Sequence, residues 1–266
     1  MQRLKNIVSG GCLILGIVIF IAAAASVGFY VHDEKTVDAG NKRAASMVYK
    51  TVNVHDLTAT KSEILPEDEM DIAAMRSVNP DTVGYLKVQG KEFPVVKAVD
   101  NKYLKTGWDG KKTRYGCIFM DGYCDLDGKN IVLYGHHMKN GKMFGTLGKY
   151  MAKAYRDENP TFKWITEEYV DTYTVIAAIR TKASDVSDIL DMDLKSDIEK
   201  LSEIAKETDT LYGDFHTGKS YMSLITCEYT KKNGRLVVIG ERTERLERKG
   251  KHVKKLCYSS KIANEE

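Results

Sequence analysis

Seven short runs, VGYLKV, EFPVVKAV, YGCIFM, NIVLYG, YVDTYTVIAAI, YMSLIT and RLVVIG, follow one another from Val83 to Gly240, separated by Gly, Asp, Asn and Lys. Each is apolar or alternates with a period of two, which is the pattern of a strand. That many short strands in one stretch leave exposed edges unless the sheet closes, so the pattern predicts a mainly β chain folded as a closed or nearly closed barrel. Three helical segments interrupt or precede it. Glu67 to Val78 has an acidic first turn, apolar residues at Ile72, Met75 and Val78, and the stop Asn79-Pro80. Met143, Phe144, Leu147, Tyr150 and Met151 form one apolar helical stripe, and Val186 to Thr208 forms a longer amphipathic helix inserted between two strands. With 266 residues, 43% of them hydrophobic, the chain is long enough to bury one core with extensions.

The chain begins with a different texture. Arg3 and Lys5 precede an uncharged run from Ile7 to Val31, and Asp33 and Glu34 follow it. A helix needs roughly 20 apolar residues to cross a bilayer core, so the run suffices as an anchor. Its basic flank predicts a single pass with the N-terminus cytoplasmic and the rest of the chain extracellular. A cleaved secretory signal is the alternative, since Ala22 to Ala25 offers small residues for cleavage. The expected organisation is residues 1–32 as cytoplasmic tip and transmembrane anchor, 33–66 as stalk or N-terminal helical segment, 67–240 as the barrel domain and 241–266 as a basic tail. The tail could touch anionic lipid or wall polymer. Forty Lys and Arg against 37 Asp and Glu give a formal charge of +3, too even a balance for a nucleic-acid partner.

Export bears on the cysteines, because disulfides persist outside the cytoplasm. Cys12 falls in the apolar run, leaving Cys117, Cys124, Cys227 and Cys257 outside. Two bridges, a bridge between Cys117 and Cys124, or free thiols are all open. No CxxC pair or HExxH helix suggests zinc, no carboxylate cluster suggests calcium, and no cofactor is expected.

Cys227 ends the run YMSLITC and is followed by charged and polar residues. A thiol works as a nucleophile when a neighbouring imidazolium or guanidinium stabilises its thiolate. Of six histidines, His32 and His55 fall in the stalk, His216 in a loop and His252 in the tail, leaving His136 and His137 at the end of NIVLYG. Adjacent residues of an extended segment face opposite ways, so one of the two could face Cys227, and periodicity does not say which. Arg235 opens a strand eight residues after Cys227, across a turn of Lys231, Lys232, Asn233 and Gly234, a spacing that brings the two side chains to one sheet end in an antiparallel hairpin.

Taken in order, NPDTVGYLKV, FPVV with DNKYL, GCIFMD, YGHHMKNGKMFGTL, and SLITC followed by GRLVV resemble the sortase family, most closely its class B, from Asn79 to Val238. The resemblance implies a closed β-barrel of about eight strands with N-terminal helices and a long helix in the crossover before the cysteine strand. It also implies a cysteine transpeptidase that cleaves a C-terminal sorting signal of exported proteins, similar to Asn-Pro-x-Thr-x, and joins the new carboxyl end to a cell-wall amine or a pilin lysine. Carried over position by position, Cys227 is the nucleophile, His136 the catalytic histidine and Arg235 the arginine that completes the site. Leu104, Ile225 and Glu228 fall where the substrate groove is lined, and Ser223 replaces a usual Thr. Other readings of the same residues are a wall peptidase that hydrolyses its acyl-enzyme and an anchored binding domain in which Cys227 is packed core.

Overall fold

The computed structural model describes residues 2–49, 70–186, 195–207, 210–230 and 232–248, with side chains described from residue 17 of the first helix and residue 199 of the last. The later part of the expected stalk, and the tail beyond residue 248 with Cys257, lie outside these residues. Eight strands close a barrel in the order β1 (Thr82–Val88), β2 (Lys91–Ala98), β3 (Ile118–Asp121), β4 (Asn130–Tyr134), β7 (Tyr221–Glu228), β8 (Gly234–Glu247), β6 (Tyr169–Lys182) and β5 (Thr161–Ile165). Neighbours are antiparallel except at β2–β3 and β4–β7. A parallel pair needs a crossover. The first crossover is the 99–117 segment, and the second carries β5, β6 and helix α4 (Lys195–Glu207).

Alternation along β7 and β8 explains why both strands read as apolar runs. Met222, Leu224, Leu236 and Val238 point into the barrel, while Tyr221, Ile225, Val237 and Ile239 point outward beneath Leu201 and Ala205 of α4. Each fully buried aliphatic side chain is worth about 1.5–3 kcal/mol, so burial on both faces packs this hairpin firmly into the sheet. Inside, Phe162 of β5 stacks on Tyr173 of β6 at a ring separation of 5.3 Å. The strand β5, TFKWI, is absent from the seven sequence runs although Phe162, Trp164 and Ile165 are buried.

Three elements differ from expectation. The Met143–Met151 stripe forms a single 3₁₀ turn, Leu147–Met151, because Met143 adopts φ +50° and Gly141 φ +79°, which break a helix; the short helix α3 (Lys153–Glu158) follows. The chain does not leave the barrel at Glu241. Strand β8 continues to Glu247 against β6, where Arg245 holds the fully buried Asp171 with bonds of 2.7 and 2.8 Å and covers the Tyr169 ring. The charged texture there reflects ion pairing at the sheet edge.

The third difference is the stalk. One helix, α1 (Gln2–Val48), runs from the apolar segment onto the barrel without a break. Apolar side chains such as Phe20, Val27 and Phe29 are exposed, whereas Val37, Ala44 and Val48 are buried in the core. These three recur at helical spacing, so one face docks. A short helix α2 (Ile72–Arg76), capped by Asp71 accepting from the Ala74 amide, packs beside it.

Candidate active site

The strand register brings the predicted residues together. On the β7–β8 hairpin Cys227 is paired directly with Arg235, on the outward face shared with Ile225. Strand β4 runs parallel to β7, and their ends are fastened by the Gly135 amide to Ile225 O at 3.1 Å and by Thr226 Oγ1 to Gly135 O at 2.7 Å. His136 therefore leaves its strand at the level of Cys227. A side chain on residue 135 would force its neighbours to shift, since a Cβ there would lie 2.4 Å from Ile118 Cδ1 and 2.7 Å from the Phe144 ring.

Cys227, His136, Arg235, Ile225 and Leu104 all line one open cleft of about 490 Å³. Phe119 and Tyr134, in ring contact at 5.4 Å, also line it, with Ala98 at the end of β2 and Val99 to Asn101 of the first crossover. Tyr134 was not among the sequence candidates. It lies two residues before His136 at the end of the same strand, and strand periodicity applied backward from His136 points to it. Its hydroxyl donates to Asp121 at 3.2 Å, and burial followed by that carboxylate raises its pKa.

The two histidines have distinct settings. His136 Nε2 lies 2.8 Å from Leu104 O. A carbonyl only accepts, so Nε2 donates this bond and Nδ1 is the ring nitrogen left for proton exchange. His137 turns away from the cleft lining, placing Nδ1 3.0 Å from the Cys227 carbonyl and its ring edge-on to Tyr229 at 5.2 Å. It braces the backbone that carries the thiol.

Arg235 bonds its neighbour Gly234 O at 2.9 Å, and among the described residues no carboxylate pairs with it. Arg245, by contrast, is saturated by Asp171 and Asp127. A half-buried guanidinium with donors to spare beside a thiol suits an incoming carbonyl or oxyanion. Glu228 does not line the cleft. It alternates with Cys227, accepts from the Thr230 hydroxyl and amide, and lies 3.8 Å from Arg180. Burial works to raise its pKa, but the Thr230 bonds and Arg180 outweigh it and hold the carboxyl below its usual value.

Cys117, Cys124 and Cys227 are free thiols. Burial pushes the pKa of Cys117 far up and that of Cys124 up, so both are held as unreactive thiols.

The chain is similar to known proteins in sequence and in fold. The family model described as Sortase domain matches residues 87–243. Sortase B of Listeria monocytogenes is 25% identical over 257 residues, covering 90% of this chain and 98% of that protein. Among solved structures, sortase B of Clostridium perfringens superposes with a TM-score of 0.59 at 28% identity, over 65% of this chain and all of that one. The sortase B of B. anthracis, 24% identical, has the same fold with a TM-score of 0.61 over 80% of this chain and 98% of its own.

Proposed function

Since this chain belongs to the sortase family of cysteine transpeptidases, we propose that it cleaves a sorting signal near the C-terminus of exported proteins at Cys227 and transfers the new carboxyl end to an amine of the cell wall. The observation that carries the reading is the convergence of Cys227, His136 and Arg235 on one cleft from three strand ends. The Cys227 thiolate attacks the carbonyl carbon of the signal's threonine, with the displaced thiol proton held on the His136 imidazole. Arg235 hydrogen-bonds the oxyanion of the tetrahedral intermediate. The C–N bond then breaks as His136 protonates the leaving amine, and a thioester joins the protein to Cys227. An acceptor amine attacks that thioester, gives its proton to His136 and expels the thiolate, so the enzyme returns to its starting state.

Leu104 and Ile225 lining the cleft support a groove for an extended peptide similar to Asn-Pro-x-Thr-x. Glu228 acts less directly, by setting the strand end beyond Cys227 through Thr230 and Arg180. The apolar side chains exposed on α1 from Ile17 to Val31 support a membrane anchor, and the basic flank of Arg3 and Lys5 supports a single pass over Ile7–Val31 with the barrel outside. The test mixes the protein with a panel of sorting peptides, with and without a small amine, and reads the products by mass spectrometry. The proposal expects cleaved peptide joined to the amine, loss of product in Cys227→Ala and His136→Ala, and a smaller loss in His137→Ala. Cleavage with water as the sole acceptor would make it a peptidase instead.

A further inference from the structure

The two loops that wall the cleft both end on α1. The first crossover carries Leu104 to the cleft and Arg114 to the helix, where the Arg114 amide and Nε bond Asp33 at 3.2 and 3.0 Å and its guanidinium lies over the Tyr30 ring at 4.6 Å. The loop after β4 carries His136 to the cleft and Lys142 to the helix, where Nζ meets Asp38 at 2.5 Å and Glu34 at 3.4 Å. The loops are also stitched to each other by Asn140 donating to the Tyr115 hydroxyl at 3.0 Å.

From each helix anchor the path to His136 is short. Two residues beyond Arg114, Gly116 at φ +61° packs so closely under the crossover that a Cβ would lie 2.4 Å from Tyr103 O and 3.0 Å from Leu104 O. Leu104 O is the acceptor for His136 Nε2. Two residues beyond Lys142, the Phe144 amide bonds His136 O at 3.0 Å, and Met143 bridges His137. Among the strands and helices α1 packs chiefly on α2 and β2, not on β7 or β8, which carry Cys227 and Arg235.

We infer that the acidic stripe Asp33, Glu34 and Asp38 of α1 is a positioning device for the proton-transferring histidine. It clamps Arg114 and Lys142, and through them fixes the Leu104 carbonyl and the His136 backbone against the independently held Cys227. The inference rests on the proposed role of His136 for its effect on rate, but its structural half does not. A catalytic group displaced by about 1 Å can cost on the order of a hundredfold in rate, so a clamp outside the cleft has leverage on the chemistry. The anchor helix is thereby a working part of the site as well as a tether.

The test uses the full chain in detergent micelles and the triple variant Asp33→Asn, Glu34→Gln, Asp38→Asn, which keeps side-chain size and the buried Val37, Ala44 and Val48. Two quantities are read: amide hydrogen exchange by mass spectrometry, and kcat and KM for peptide transfer with the unfolding midpoint. The inference expects faster exchange over residues 99–117 and 135–146 with β7 and β8 still protected. It also expects kcat lower by about tenfold or more with donor KM changed far less. The charge swap Asp38→Lys with Lys142→Asp is expected to recover most of the rate lost in Lys142→Asp alone. Unchanged exchange in both loops, or a fall in kcat no larger than the fraction unfolded, would overturn it. If the wild type transfers no peptide, the functional reading fails while the exchange result still decides whether α1 holds the two loops.

Discussion

Cys227 is a free, half-buried thiol that lines the cleft. The sequence placed it at the end of an apolar strand ahead of charged residues but left packed core, disulfide half and nucleophile all open. Its pairing with Arg235 followed from the eight-residue spacing across a turn, and the register confirms that the two are direct cross-strand partners. The choice between the histidines was beyond periodicity. What separates them is the carbonyl each ring donates to: Leu104 O, in a loop remote in sequence, for His136, and Cys227 O for His137. At this scale the sharpest prediction concerns Arg235. Replacement by Lys keeps the charge but loses the planar fork of donors. Arg235→Lys is expected to lower kcat about a hundredfold, the rate equivalent of roughly 3 kcal/mol of oxyanion stabilisation, with a smaller change in KM. Steady-state kinetics on a donor peptide would show it, and a variant within a factor of about three of wild type would remove Arg235 from the reaction.

Strands were more legible than helices. Both faces of β7 and β8 are covered, so they appear as apolar runs that no loop would carry, whereas β5 alternates Phe162 and Trp164 with polar residues over only five positions and was missed. The Met143–Met151 stripe misled because its apolar residues pack in the core from a loop and a 3₁₀ turn, and burial without helical geometry gives a similar spacing. The end of β4 shows how an element fixes the site. Gly135 is needed there because Ile118 and Phe144, both buried, occupy the space of any Cβ. Gly135→Ala is therefore expected to cost about 1–3 kcal/mol of stability, as overpacking does, and to lower kcat by shifting His136. Urea denaturation and kinetics on the same sample check both. Equal stability and rate would mean that the strand end yields freely and does not set the histidine.

For the whole molecule, the barrel class was readable from the count of short strands, but the closure order was not. The parallel pairs β2–β3 and β4–β7 are long-range choices that no local pattern encodes, and β4–β7 with the β7–β8 hairpin brings the three strand ends of the site together. Nor did the polar segment from residue 33 announce where it docks, since no local pattern places Arg114 and Lys142 opposite Asp33, Glu34 and Asp38. The buried core also sets a pH limit. Burial, then the Asp171 carboxylate, raises the pKa of Tyr173 above its ordinary 10.0, and burial raises that of Cys117 above 9.0. Folded, both keep protons that the unfolded chain releases, so their contribution is intact below about pH 9 and stability falls as pH rises beyond it, by about 1.4 kcal/mol per pH unit for each group. Urea midpoints are expected to hold between about pH 7 and 9 and then drop, and a flat profile to about pH 11 would contradict this. The most direct test of the account is the intact mass of the protein quenched during turnover with a sorting peptide. The account predicts one acyl adduct, mapped to Cys227, lost on adding an amine and absent in Cys227→Ala, with Cys117 and Cys124 unmodified. An adduct elsewhere, or none with any peptide while Cys227 resists alkylation until the chain unfolds, would contradict it.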